Sequence, residues 1–280
     1  MSISNKPGAH LTMHRIMNAG RSMLELVLLM AVGLVPVFSG LLVMIYQVEV
    51  KLAENAAISV QEAVFSVDQA LDRVHEVAAR ALPLAGQTCE QAKEALLDQV
   101  ASRSMLRSLT LVSDGQAYCS TTSDPLSVLS TLASPGRLVT LSSTLQDRND
   151  HLLVNLYLPQ GRHGVVATVY TTQLRTELSA FQDGLTLMLD FNEHYLWSNG
   201  DSLSGMRPSL SEFNRQADSA QYEYRVVGGY AAGYTAREIR ESMLNILPSL
   251  MLVGLMTGAV IYFALGRVRN RTLEAPEGHH

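Results

Sequence analysis

The two cysteines, Cys89 and Cys119, are the side chains of this 280-residue sequence with the most specific chemistry. In an oxidising compartment such a pair invites a disulfide. Closing a loop of about 31 residues would stabilise a fold by about 3–4 kcal/mol in the chain-entropy picture. Three readings stay open: a permanent structural bridge, a redox-responsive pair, or two unpaired buried thiols. The spacing does not give the Cα distance that a bond requires. Cys89 follows Thr88 in Thr88-Cys89-Glu90-Gln91, which has the form of a capping box and predicts a helix start. A cysteine in a first helical turn has a lowered thiol pKa and is a good leaving group, so a bond made by Cys89 would be readily reduced.

Other chemistry is sparse. His10 and His14 have i, i+4 spacing but no third ligand, and His75, His151, His163 and His194 are scattered, so no metal site is assigned. There is no glycine-rich phosphate loop and no Gly-x-Ser-x-Gly elbow. No catalytic residue and no cofactor is assigned.

The segments that must position the cysteines begin with two apolar runs. Leu26–Tyr46 and Ile246–Leu265 carry no charged side chain over 21 and 20 residues. About 20 helical residues cross a bilayer core, so both runs read as membrane spans in contact with lipid. Pro36 and Pro248 are compatible with that, since membrane helices tolerate proline. Residues 1–25 carry Lys6, Arg15 and Arg21 against Glu25, and residues 266–280 carry Arg267, Arg269 and Arg271 against Glu274 and Glu277. Residues 47–241 hold 15 Lys/Arg and 23 Asp/Glu. Basic flanks stay in the cytoplasm, which predicts cytoplasmic tails at 1–25 and 266–280 and a domain at 47–245 in the periplasm of a bacterial inner-membrane protein. The acidic exposed segment argues against nucleic-acid binding. The chain is 47% hydrophobic and 17% charged, below the soluble average of about 25% charged, as two spans require. No internal repeat is visible, and the first 20 or so residues read as a disordered polar tail.

The domain opens on a helix. Tyr46, Val50, Ala53, Ala57, Val60, Val64, Val67, Leu71, Val74, Ala78 and Ala81 are spaced by alternating fours and threes until Pro83 ends the pattern. This stripe packs on the chain's own domain or forms a parallel homodimer seam through Val60, Val64, Val67, Leu71 and Val74. A second helix starts at Thr88. Apolar alternation at Leu109 and Leu111, then Asp114-Gly115, then residues 116–121, predicts a β-hairpin. Further strands are predicted at 138–141, 152–158, 165–170, 185–191 and 222–227, a hairpin loop at Pro159–Gly164, and a short helix at 172–181. A long helix on a mostly antiparallel sheet of five or six strands is an α+β, PAS/Cache-like arrangement.

Residues Leu106–Thr121 resemble the periplasmic CSS-motif domain that precedes EAL-type cyclic di-GMP phosphodiesterases. The family pattern is an apolar strand, a turn and Cys-Ser-Ser, with a second cysteine upstream. Here the motif is Cys119-Ser120-Thr121, with a threonine at its third position, and the upstream partner would be Cys89. The resemblance implies a redox- or ligand-responsive sensor controlling cyclic di-GMP breakdown, with periplasmic thiol-oxidising enzymes as partners. No catalytic domain is read in this segment, which is either a free-standing sensor or a fragment of a longer protein that would be a cyclic di-GMP phosphodiesterase. Glu94-Ala95-Leu96 spells the catalytic triplet, but Leu97-Asp98 follow where the catalytic family has arginine one residue on. Gly228-Gly229 is followed by Tyr230 rather than the acidic pair of a cyclase. The alternative function is a membrane-anchored interaction domain whose disulfide is purely structural.

Overall fold

The computed structural model describes residues 9–122, 138–143, 152–191, 194–203 and 206–273. His151 lies outside them. By internal contacts the chain divides into residues 51–235 and a second unit made of residues 1–50 and 236–280.

The second unit is two helical segments. Helix α1 runs Ala9–Ala81 with Pro36 inside it, and the last helix, α4, runs Tyr234–Leu273 with Pro248 inside it. Both are long and apolar enough to cross a membrane. The expected disordered tail is corrected in part, since α1 already begins at Ala9. Between Ala9 and the first span there is no proline, and Gly20 is the residue of lowest helix propensity. The apolar segments approach backbone to backbone. A Cβ on Gly254 would lie 2.9 Å from the Gly33 carbonyl oxygen, and a Cβ on Gly40 would lie 2.7 Å from a Leu250 methyl. Small residues at such crossings let membrane helices pack closely without a hydrophobic driving force between them.

In residues 51–235, α1 buries one continuous face: Leu52, Ala56, Val60, Ala63, Val67, Ala70, Leu71, Val74, Val77, Ala78 and Ala81. A straight helix turns about 20° per heptad relative to a 3.5-residue repeat. The strict heptad row therefore drifts off the buried face, and Tyr46 and Val50 at its start are exposed. Of the two readings of this stripe, burial within the chain's own domain holds for most of the residues named for the seam. Val60, Val67, Leu71 and Val74 are buried to within 1% exposure, and Val64 is half-buried. The large apolar residues that α1 leaves to solvent here are Ile58 and Phe65. After Ala81 a 3-10 turn at Leu82–Leu84 carries Pro83, and α2 follows at Cys89–Ala101.

The expected single sheet is instead two. Strands β1 (Leu106–Ser113), β2 (Gln116–Ser120), β3 (Val139–Ser143), β4 (Leu152–Gln160) and β5 (His163–Tyr170) form an antiparallel sheet in the order β2-β1-β5-β4-β3. After α3 (Thr171–Ser179) come β6 (Thr186–Asp190), β7 (Tyr195–Trp197), β8 (Gly200–Asp201), β9 (Glu212–Asp218) and β10 (Arg225–Tyr230), in the order β8-β7-β6-β10-β9. Each sheet places its first strand between its hairpin partner and its last strand, with the fourth strand outside the last. The two sheets thus share a four-strand arrangement and differ in the third strand, which lies beside β4 in the first sheet and beside β7 in the second.

Register sorts the first sheet into two faces. Leu109, Leu111, Cys119, Val165, Ala167 and Leu156 share one, and all are buried. The other carries Thr110, Thr168 and Asn155. The fully buried Asn155 amide donates to Ser142 Oγ at 2.7 Å and accepts from Thr168 Oγ1 at 2.8 Å. These partners satisfy groups whose burial would otherwise be costly. Asp114 and Gly115 both have positive φ, 49° and 76°, as a two-residue hairpin turn demands. The predicted Pro159–Gly164 loop is shorter than expected. Strand pairing continues to Gln160 opposite His163, so only Gly161 and Arg162 turn.

Candidate functional site

Cys89 is the first residue of α2, and Cys119 lies opposite Leu111 on β2, an edge strand of the first sheet. The two are joined in a disulfide with a Cα–Cα distance of 5.2 Å. The bond fastens the start of α2 to the apolar face of the sheet, where Ala92 and Leu96 of the same helix are also buried. Both sequence-derived site cysteines are thus brought together.

The capping box is not formed. Thr88 is the N-cap and has extended dihedrals, but its side chain makes no capping hydrogen bond. The Gln91 and Ala92 N–H groups donate to the Thr88 carbonyl at 3.1 Å each, so backbone alone closes the turn and the exposed hydroxyl is left to solvent.

The rest of the motif completes the sheet edge. Ser120 Oγ lies 2.9 Å from Thr110 Oγ1 on β1. Thr121, one residue past β2, donates its N–H to the Leu109 carbonyl and accepts the Leu109 N–H on Oγ1, both at 3.1 Å. A side-chain hydroxyl here replaces the carbonyl of a departing strand. Serine and threonine both supply that oxygen, which accounts for threonine at the third motif position. Beside it, the pairing shifts between Leu111 and Val112, so that Tyr118 has no partner on β1. Its hydroxyl accepts the Gly86 N–H at 2.9 Å, which ties the α1–α2 connection to the same edge. Gly86 has φ 105°, a conformation that side chains rarely adopt.

Two further clusters escaped the sequence reading. On α1, Asp68 accepts from Ser219 Oγ at 2.7 Å and from Tyr224 OH at 2.8 Å, while Asp72 accepts from Tyr222 OH at 2.5 Å and Gln221 Nε2 at 3.0 Å. Burial pushes both phenols up from the ordinary tyrosine value, and the carboxylates they donate to push them further, so both stay protonated donors. The cluster fastens α1 to the β9–β10 connection. A cleft of about 340 Å³ beside it is lined by Asp190, Asp218, Ser219, Glu223, Tyr224 and Arg225. Arg225 Nε donates to Asp218 Oδ1 there at 2.6 Å. The buried Asp201 pairs with Arg175 of α3.

The second cluster holds the start of α4. Glu212, the first residue of β9, accepts the Gly233 N–H at 2.6 Å, the Thr235 N–H at 2.8 Å and the Thr235 hydroxyl at 2.6 Å. These donors, Thr235 foremost, hold its carboxyl below the usual glutamate range. Tyr234 stacks on Tyr230 at 4.6 Å between ring centroids. A folded-state pKa below the unfolded one means that the interaction is complete above the ordinary glutamate value of about 4.3 and is lost as pH falls through the folded value. The Gly233 and Thr235 amides should therefore lose exchange protection in acid. In Glu212→Gln they should exchange on the order of tenfold faster at neutral pH, with the acid dependence gone, because a charge-assisted acceptor has become a neutral one. Unchanged exchange in the variant would mean that Glu212 does not hold the helix.

Among the described residues no group of three His, Cys, Asp or Glu side chains is placed to hold a metal ion. Glu94 is exposed on α2. His194 Nδ1 lies 3.2 Å from Ser202 Oγ.

The chain thus combines a two-sheet α+β domain, with a disulfide at Cys-Ser-Thr, and two helices long and apolar enough to cross a membrane. Residues 52–243 match the family described as "CSS motif domain associated with EAL", and the chain belongs to it. Among solved structures it is similar to the extracellular domain of the putative histidine kinase rpHK1S-Z16, at 14% identity over 68% of this chain and 97% of that one, TM-score 0.44. It is also similar to the ligand-binding domain of the amino acid chemoreceptor PctB of Pseudomonas aeruginosa PAO1 in complex with L-Arg, at 17% identity over 74% of this chain and 98% of that one, TM-score 0.46. Comparison with the curated proteins gives no match.

Proposed function

We propose that this chain is an inner-membrane redox sensor whose domain lies in the periplasm and whose thiol state regulates cyclic di-GMP breakdown. The observation that supports this best is the Cys89–Cys119 bond at a sheet edge. Four links converge there: the disulfide, the Ser120–Thr110 contact, the Thr121 ladder and the Gly86–Tyr118 bond. Reduction removes the covalent link between α2 and β2, leaving α2 held by the burial of Ala92 and Leu96 and β2 by its pairing with β1. The acidic domain and basic flanks favour the periplasm, where enzymatic oxidation maintains such bonds. The bond's partners are then the thiol-oxidising enzymes of that compartment.

Thiol trapping tests location and redox response together. In normal cells neither cysteine should take up an alkylating label. In cells lacking periplasmic disulfide-forming enzymes both should. Purified full-length chain should then show faster amide exchange in α2 and β2 after reduction. Exchange that is the same in both states would favour the structural-staple alternative, and labelling in normal cells would remove the oxidising location.

A further inference from the structure

The two sulfurs of the bond are not equally placed. Cys119 is 3% exposed and shares the apolar face of the first sheet with the fully buried Leu109 and Leu111. Cys89 is half-buried, and its neighbours Thr88, Glu90 and Gln91 are exposed. Thiol–disulfide exchange requires a thiolate to reach one sulfur in line with the bond that breaks, so access selects the sulfur attacked.

We propose that exchange at this bond enters through Cys89, making Cys89 the site of the mixed disulfide and Cys119 the buried resolving thiol. This rests on the redox reading above and assigns its chemical roles. A thiolate of a dithiol reductant attacks Cys89 Sγ. The new sulfur–sulfur bond forms as the Cys89–Cys119 bond breaks, and the electron pair leaves on Cys119 Sγ, which takes a proton from solvent. The reductant's second thiol, as its thiolate, attacks the reductant sulfur of the mixed disulfide and expels Cys89 as a thiolate, which is protonated in turn. The reductant ends as a disulfide and the chain as a dithiol, with two electrons and two protons transferred. In the oxidising direction Cys89 attacks a disulfide oxidant, and Cys119, after losing its proton, attacks Cys89 Sγ and expels the reduced oxidant.

The surroundings suit these roles. Cys89 sits at the positive end of the 13-residue α2, with Lys93 one turn further on, so its thiolate is stabilised both as nucleophile and as second leaving group. Cys119, among apolar side chains, is a poor free nucleophile and acts well only on a sulfur already beside it. The helix N-terminus therefore assists the release of Cys89 in the second step, not the first cleavage.

Oxidised full-length chain, treated with limiting reduced glutathione, quenched with acid and alkylated, should carry glutathione on Cys89 and the alkyl label on Cys119 by mass spectrometry. Glutathione on Cys119, or an even split, overturns the assignment. In single-cysteine chains, Cys89 of Cys119→Ser should react with an aromatic disulfide reagent at least on the order of tenfold faster than Cys119 of Cys89→Ser, with equal rates in denaturant. Native rates within twofold of one another also overturn it. Because the glutathione adduct is read on the oxidised chain in vitro, it holds or fails independently of any response in cells. Glutathione on Cys89 with no change in domain exchange after reduction would sink the sensing role alone.

Discussion

Replacing Cys119 by serine is expected to lower the stability of residues 51–235 by about 3–4 kcal/mol. The bond closes a loop with a sequence separation of 30, and the entropy released to the unfolded chain by opening it sets that scale. For a domain of this size the loss corresponds to a fall of about 6–16 °C in the thermal midpoint. Cys89→Ser and the double variant should fall by the same amount, since one bond is lost in each case. Thermal unfolding of the full chain in detergent checks this. A non-additive double variant supports a single shared bond, whereas additive losses would mean that each cysteine contributes separately through packing.

The second large effect is expected at Leu71, which is fully buried on α1. Leu71→Ala should cost about 2–5 kcal/mol, from lost apolar transfer and the cavity left behind. Phe65, six residues earlier on the same helix, is 71% exposed, and Phe65→Ala should change stability by no more than about 0.5 kcal/mol. The pair separates two uses of the helix. If α1 instead formed its principal interface through the Leu71 row in a dimer, the loss at Leu71 would depend on protein concentration. The structure, with that row filled by the chain's own domain, requires a loss independent of concentration.

The parts of this protein legible in sequence are those set by local chemistry. The two spans follow from uninterrupted apolar runs, and the Asp114–Gly115 hairpin from residues suited to positive φ. The helix stop before Pro83 follows from the proline, and the sheet-edge motif from Cys119-Ser120-Thr121. Each signal lies within a few residues, where backbone sterics and hydrogen-bonding reach decide. Thr88 marks a limit even there. It stands at the N-cap, yet its hydroxyl makes no capping hydrogen bond, and the turn is closed by backbone alone.

Tertiary structure decided what depends on residues far apart in the chain. Which face of α1 is buried was readable only approximately, because a heptad row and a straight helix diverge over ten turns and packing within the folded domain fixes the true face. The division into two sheets lay below the sequence signal, since strand order is a matter of pairing partners and not of composition. Asp68 with Tyr224, separated by 156 residues, and Glu212 with Thr235, separated by 23, could not be paired in advance. A carboxylate on an exposed-looking helix and one at the start of a strand have many candidate donors, and only the packed fold selects among them. The cysteines fall between these cases. Their number and the family resemblance pointed to a bond, but the 5.2 Å that permits it and the unequal burial of its two sulfurs come from the placement of α2 against the first sheet.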